Sequence, residues 1–326
     1  MREEALNRAG ESAFDGLNLS PGDLEERRSS AVTVGVFDGV HRGHVHLARA
    51  LIERADMAGL RSVVVTFRNH PLSVLRPDFE PMYLCTVESR IEMLNDTGVD
   101  AVVAATFDAE LATLPAEDFV KLLCDRLNMK ALVVGPDFAL GRGREGDIGF
   151  LRDMAVEAGF EVEVVSPLDD DGVRVGSTAV RKALSDGDVS GAAELLGRNF
   201  TLTGTVVRGV GRGGPLGFPT ANLETPGGLA VPGNGIYAVW AHVSDGGEGR
   251  RLACATSIGV NPTFEETART IEAFVLDYDG DLYGAELTLE FVRRLRDEER
   301  FDSVEALQRQ VDRDVSATRA ILETGP

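Results

Sequence analysis

From Ala31 to about Gly187, short apolar runs alternate with stretches whose apolar residues fall three and four apart. The runs are Val32–Phe37, Ser62–Phe67, Ala101–Phe107, Ala131–Gly135 and Val162–Ser166. Between them, Leu47, Ala50, Leu51 and Ala55, then Phe119, Leu122, Leu123 and Leu127, share one face of a helix. Near-continuous apolar strands alternating with helices predict a parallel sheet covered on both faces. Pro115 suits the first turn of the second of these helices, where a missing N–H costs least.

The texture changes at Asp188. Asp188 to Gly197 reads as a short capped helix, and alternating strands follow at Thr201–Arg208, Ile236–Val243, Leu252–Ile258, Ile271–Tyr278 and Glu286–Arg293. Glycine and proline clusters between them predict a small antiparallel barrel. Ser303 opens a last helix with Val304, Leu307, Val311, Val315 and Leu322 on one face. The expected organisation is an extension over 1–30, a doubly wound α/β domain over 31–187, a linker helix over 188–199 and a β-barrel domain with a C-terminal helix over 200–326. A length of 326 residues, at roughly 150 per domain, agrees with two.

Composition narrows the partners. No apolar run approaches the ~18 residues of a membrane helix, and Met1 to Ser30 lacks the apolar core of a signal peptide. The expectation is therefore a cytoplasmic protein with no membrane partner. The net charge of −20 spreads over both halves, and the only lysines are Lys121, Lys130 and Lys182. Such a surface repels a polyphosphate backbone, so no nucleic-acid partner is expected. The three cysteines, Cys85, Cys124 and Cys254, are odd in number and far apart, and read as reduced.

Candidate chemistry concentrates after the first strand, in Val34-Gly-Val-Phe-Asp-Gly-Val-His41-Arg-Gly-His44. The carboxyl end of a strand beside a helix N-terminus is where doubly wound sheets hold phosphates. Gly35, Gly39 and Gly43 let the backbone approach a ligand, and His41 and His44 could donate hydrogen bonds to it. Two histidines at this spacing with His46 nearby could also ligate a metal. In the second half, the glycine-rich stretch from Gly209 to Gly217 is either a phosphate cradle or a hairpin turn. It does not have the Walker spacing.

The segment Gly35–His44 resembles the signature of the HxGH nucleotidyltransferases, specifically their flavin-adenylating branch. Thr66-Phe-Arg-Asn-His-Pro71, Val134 to Asp147 and Val173 to Arg181 fit the same family in order. Gly217-Phe-Pro-Thr-Ala-Asn222 and Ile271 to Gly284 resemble the riboflavin kinases. The whole, from Val32 to Leu322, is similar to the bifunctional bacterial riboflavin kinase/FMN adenylyltransferases. The resemblance implies phosphorylation of riboflavin to FMN and adenylylation of FMN to FAD, with ATP as co-substrate, Mg²⁺ as cofactor, and flavins as substrate and product rather than prosthetic group. It implies catalytic roles for His41, His44 and Glu272, the last as general base. Nucleotide contacts would come from Gly35, Phe37, Gly39, Asn69, Asp137, Ser177, Thr178 and Arg181, and in the barrel from Gly211, Gly213, Gly217 and Pro219. Thr220 and Asn222 would hold Mg²⁺. The stretch Gly141 to Asp147 resembles the family's mobile loop near the flavin. The chain departs from the family at Asn69, where proline is usual, at Gly176, where a polar residue is usual, and at Gly214-Pro215, where a basic residue and threonine are usual. The expected partners are riboflavin, FMN and ATP, with the protein a monomer or weak homo-oligomer. Rival readings are a monofunctional nucleotidyltransferase, an aminoacyl-tRNA synthetase relative and a non-catalytic flavin-binding regulator.

Overall fold

A computed structural model describes residues 28–170, 173–209, 218–243, 249–260 and 269–323. Residues 1–27 of the expected extension over 1–30, and the glycines 211, 213, 214 and 217, lie outside the described residues, while Ser30 belongs to the first strand. The chain divides into two compact units, 1–176 and 177–326.

The first unit begins with β1 (Ser30–Val34), α1 (Arg42–Ala58) and β2 (Arg61–Phe67). Next come α2 (Pro71–Leu75), α3 (Val87–Asn95), β3 (Ala101–Ala105), α4 (Ala109–Thr113) and α5 (Ala116–Leu127). It ends with β4 (Met129–Val134), α6 (Ile148–Ala158), β5 (Glu161–Val164) and a small hairpin of β6 (Asp169–Asp170) and β7 (Val173–Arg174). The five long strands pair in parallel in the order β3-β2-β1-β4-β5.

Alternation along the strands feeds two cores, one on each face of the sheet. Ala31, Val64, Ala131 and Val133 pack with Ala48, Leu51 and Ala55 of α1 and Leu94 of α3. Val32, Val63, Val65, Leu132 and Val134 pack with Phe119, Leu122 and Leu123 of α5 and Leu151 of α6. Pro115 stands at the N-cap of α5, one position before its first turn. Because the chain runs outward from β1 in both directions, strand order reverses between β1 and β4. That crevice, at the carboxyl ends of the strands, is where this architecture takes ligands.

The second unit opens with α7 (Ser177–Ser185) and α8 (Val189–Leu196). Val180 and Leu184 of α7, and Val189, Ala192 and Leu196 of α8, are all buried. Six strands follow: β8 (Phe200–Val207), β9 (Ala221–Glu224), β10 (Gly235–Val243), β11 (Arg250–Val260), β12 (Arg269–Val275) and β13 (Glu286–Arg296). They close into an antiparallel barrel in the order β10-β11-β12-β9-β8-β13. Leu202, Val206, Val239, Ile258, Ile271, Ala273, Val275, Leu289 and Phe291 are among its buried residues. The sequence pattern did not show β9, which is four residues long and only one of them buried.

The last helix, α9 (Val304–Glu323), is capped by Ser303, whose Oγ accepts the Ala306 N–H at 3.2 Å. Its buried residues are Asp314, Thr318 and Leu322. Val304, expected on the apolar face, is instead 51% exposed at the first helical position. Asp314 receives Arg296 Nε at 3.1 Å and Nη2 at 2.8 Å, which ties the helix to β13. Among the described residues, no helix is long and apolar enough to cross a membrane.

Candidate functional site

The turn between β1 and α1 is held in an uncommon backbone conformation. Phe37 and Val40 have positive φ of 52° and 37°, and Gly39 lies at 76°. For a bulky and a β-branched residue this costs about 1–3 kcal/mol each and persists only where surroundings enforce it. Gly39 has no alternative, since a Cβ there would lie 2.7 Å from a Leu84 methyl carbon. Gly35 faces the Phe37 ring, which is buried beneath the turn and tilts against His44 at a centroid distance of 5.0 Å. Phe37 is thus packed away as a support.

The turn delivers two histidines to the N-terminus of α1. His41 is the N-cap, and its Nδ1 accepts the His44 N–H at 3.3 Å. That bond fixes the tautomer: the imidazole keeps its proton on Nε2. The two rings stack at 3.6 Å, with planes 18° apart. His44 Nδ1 is buried with no hydrogen-bond partner. Burial, then His41, then Arg90 push the His44 pKa well below its usual 6.5. A cavity of about 250 Å³ opens beside them, lined by His41, His44, His46, Gly135, Pro136 and Arg174, among others. It lies where β1 and β4 end, at the reversal of strand order. Stacked rings do not converge on one ion, and among the described residues no three metal-ligating side chains cluster. The metal alternative for these histidines therefore finds no support.

Asp137 is exposed at the rim and accepts Arg174 Nη1 at 2.5 Å, while its carbonyl accepts Arg144 Nη2 at 2.8 Å. Arg174 lines the cavity itself and is a cation that sequence reasoning did not single out. Nothing in its spacing from Asp137 revealed the pair. The stretch from Gly141 to Asp147 is a stapled turn: Leu140 and Gly146 exchange both backbone hydrogen bonds, and the Arg142 N–H reaches Leu114 O at 2.8 Å. Asn69 uses both ends of its amide on one residue, donating to Phe107 O at 2.7 Å and accepting the Phe107 N–H at 2.9 Å. A proline could not make that clamp between the segments leaving β2 and β3.

Ser177, Thr178 and Arg181 belong to the second unit, on the first turn and a half of α7; Thr178 is exposed there and the other two are half-buried. On the barrel, Glu272 alternates away from the interior-facing Ile271 and Ala273 and is half-buried. Asn222 of β9 stands directly opposite it, so both side chains share one face. Thr220 Oγ1 donates to Glu272 Oε2 at 3.2 Å. The Glu298 carboxylate lies against Gly259 so closely that a Cβ there would sit 1.9 Å from its Oε1. The Glu298 pKa is raised by its burial and then by the charge of Glu272. Thr220 also lines a cavity of about 130 Å³, with Pro219, Ala273, Tyr278, Asp281 and Tyr283 among its other walls; Asn222 and Glu272 do not line it. The Thr220 hydroxyl and the Asn222 carbonyl are hard oxygen donors that fit Mg²⁺.

Comparisons with known proteins place both halves of the chain in families. The FAD synthetase family matches residues 23–179 and the riboflavin kinase family matches residues 196–322. The bifunctional riboflavin kinase/FMN adenylyltransferase of Pseudomonas fluorescens is 39% identical over 93% of this chain and 95% of that protein. The proteins of the same name from Escherichia coli K12 and Bacillus subtilis are 37% and 34% identical, over 93% and 89% of this chain and 95% and 92% of theirs. A crystal structure from Streptococcus pneumoniae, called a macrolide-efflux protein, is similar at a TM-score of 0.81 and 31% identity, over 89% of this chain and 94% of that one. With identity at this level along almost the whole length of relatives that share one name, the chain belongs to the bifunctional riboflavin kinase/FMN adenylyltransferase family.

Proposed function

We propose that the chain converts riboflavin to FMN on its barrel and FMN to FAD on its α/β unit, spending one ATP at each step. In the second step an FMN phosphate oxygen attacks the α-phosphorus of ATP, and the bond to pyrophosphate breaks. The observation that carries this reading is the stacked His41–His44 pair at the N-terminus of α1, facing a cavity at the reversal of strand order. Held neutral, His44 is a hydrogen-bond donor to the developing charge and not a proton source, and pyrophosphate needs no proton to leave. The positive end of the helix dipole and Arg174 favour the same anionic group. Gly35 and Gly39 belong to the turn that carries the histidines, and Asp137 holds Arg174 of the cavity lining. Ser177, Thr178 and Arg181 offer hydroxyls and a guanidinium suited to phosphate.

On the barrel, Glu272 takes the proton of the riboflavin 5′-hydroxyl as that oxygen attacks the γ-phosphorus, and ADP leaves. Thr220 and Asn222 would hold Mg²⁺ together with the nucleotide, and the ion would supply charge neutralisation on the phosphates. The proposed setting is the cytoplasm, with small-molecule partners and no nucleic acid. Incubation with riboflavin, ATP and Mg²⁺ tests the whole reading: FMN should rise first and FAD follow. FMN without FAD would reject the role of the α/β unit, and absence of both would reject the barrel assignment.

A further inference from the structure

Arg90 of α3 is completely buried, with no exposed surface at all. Its Nη1 donates to Phe67 O, the last residue of β2, at 2.7 Å. Its Nη2 lies 4.0 Å from Asp38 Oδ1, and its guanidinium sits 5.9 Å from the centre of the Tyr83 ring. Nε and Nη2 have no hydrogen-bond partner among the described residues. A buried charge with incomplete partners is a poor way to gain stability, because desolvation offsets much of what its ion pair returns. The arrangement calls for another explanation.

Asp38 supplies it. This aspartate is 2% exposed and sits between the two strained residues of the turn, Phe37 and Val40. Its Oδ1 accepts the Leu84 N–H at 2.9 Å, and the adjacent Gly39 N–H points to Cys85 Sγ at 3.3 Å. The turn that presents His41 and His44 is therefore clamped from beneath by residues 84, 85 and 90. We propose that Arg90 is a positioning residue of adenylyl transfer, acting through Asp38 to hold the histidine-bearing turn in its strained conformation. The Arg90 charge also acts on His44 directly, as one of the groups that keep it unprotonated. The proposal rests on the histidine pair being the adenylyl-transfer site.

The test measures FMN-to-FAD turnover by the full chain, with riboflavin-to-FMN turnover as an internal reference in the same preparation. Arg90→Met should lower kcat for FAD formation about a hundredfold and leave KM for ATP and FMN within about threefold, since the histidines would be misplaced for the transition state. Arg90→Lys should recover at least tenfold of that loss. Asp38→Asn, which keeps the acceptor for Leu84 but not the charge, should fall to a similar kcat. The Asp38→Asn/Arg90→Met double variant should be no worse than the poorer single variant. A folded Arg90→Met protein with unchanged kcat, a loss confined to KM, or multiplicative losses in the double variant would overturn the proposal. Should Arg90→Met fail to fold, Asp38→Asn decides alone: near wild-type kcat rejects it. If wild-type protein makes no FAD, the reading of the histidine site fails instead, which separates the two claims.

Discussion

His41 and His44 stack ring upon ring at 3.6 Å, and that contact limits the charge the pair can carry. Two imidazolium ions so close would repel by roughly 4 kcal/mol at an effective dielectric of about 20. With burial added, His44 stays neutral well below 6.5 in the folded protein, whereas in the unfolded chain it titrates near 6.5. Between those values the unfolded state binds the extra proton, so stability rises with pH and is lost as pH falls below about 6.5. The unfolding midpoint should therefore drop more steeply from pH 7.5 to 5.5 in the wild type than in His44→Asn. Parallel curves would contradict the neutral assignment.

Gly39 carries a second prediction. A side chain there meets both a left-handed φ of 76° and the Leu84 side chain at 2.7 Å. Gly39→Ala should destabilise the first unit by about 1–3 kcal/mol. Because relaxation would shift His41, two residues on, FAD formation should fall well before FMN formation does. Product ratios from riboflavin and ATP measure this directly. Equal losses in both steps would show that the turn is not specific to adenylyl transfer.

These two sites differ in how much of them could be read from the chain. The histidine turn was legible because its chemistry is local: strand, glycines and histidines follow one another within ten residues. Its support was not, since Asp38 and Arg90 are separated by a strand and two helices, and Arg90 looks like any polar residue of an amphipathic helix. The Asp137–Arg174 pair was hidden for the same reason. Strand β9 was invisible because four residues give too little alternation to detect. At Glu272 the alternation of β12 was plain, but periodicity yields two faces without saying which is inside; only the burial of Ile271, Ala273 and Val275 decides it.

Where the second unit begins also has a measurable consequence. Val180 and Leu184 of α7 are buried, and Leu184 O accepts the Gly233 N–H at 2.7 Å. A fragment starting at Asp188 forfeits both side chains, each contributing about 1.5–3 kcal/mol when fully buried. A fragment over 177–326 should therefore be the more stable by about 3 kcal/mol or more, and should phosphorylate riboflavin. Chemical denaturation of the two fragments tests this, and coincident midpoints would remove α7 from the unit.

The donor set on the barrel makes a statement about metal affinity. Thr220 and Asn222 are neutral, and among the described residues no three carboxylate, histidine or cysteine side chains gather to hold an ion. Most of the charge on Mg²⁺ must then be matched by nucleotide phosphates and water. Calorimetry should find weak Mg²⁺ binding to the protein alone and much tighter binding with ADP present. Tight binding without nucleotide would contradict the assignment.

The last prediction concerns the Thr220–Glu272 contact. Thr220 Oγ1 donates to Glu272 Oε2, which aims the carboxylate at the face shared with Asn222. A primary hydroxyl is a poor nucleophile at neutral pH, and a positioned carboxylate contributes about 10²–10⁴-fold by accepting its proton. Glu272→Gln preserves size and can still accept the threonine hydroxyl, so the fold and the orientation of Thr220 should survive. Only the basicity is lost. Riboflavin phosphorylation should fall by about that factor in kcat, with KM for riboflavin and ATP little changed, because the missing interaction belongs to the transition state. Adenylylation of supplied FMN should be unaffected and serves as the control for folding. Thr220→Val should give a smaller loss in kcat, through a carboxylate free to rotate, together with weaker dependence on Mg²⁺. If Glu272→Gln instead keeps its kcat and loses affinity for Mg²⁺·ATP, the carboxylate is an ion ligand and the proton leaves by another route.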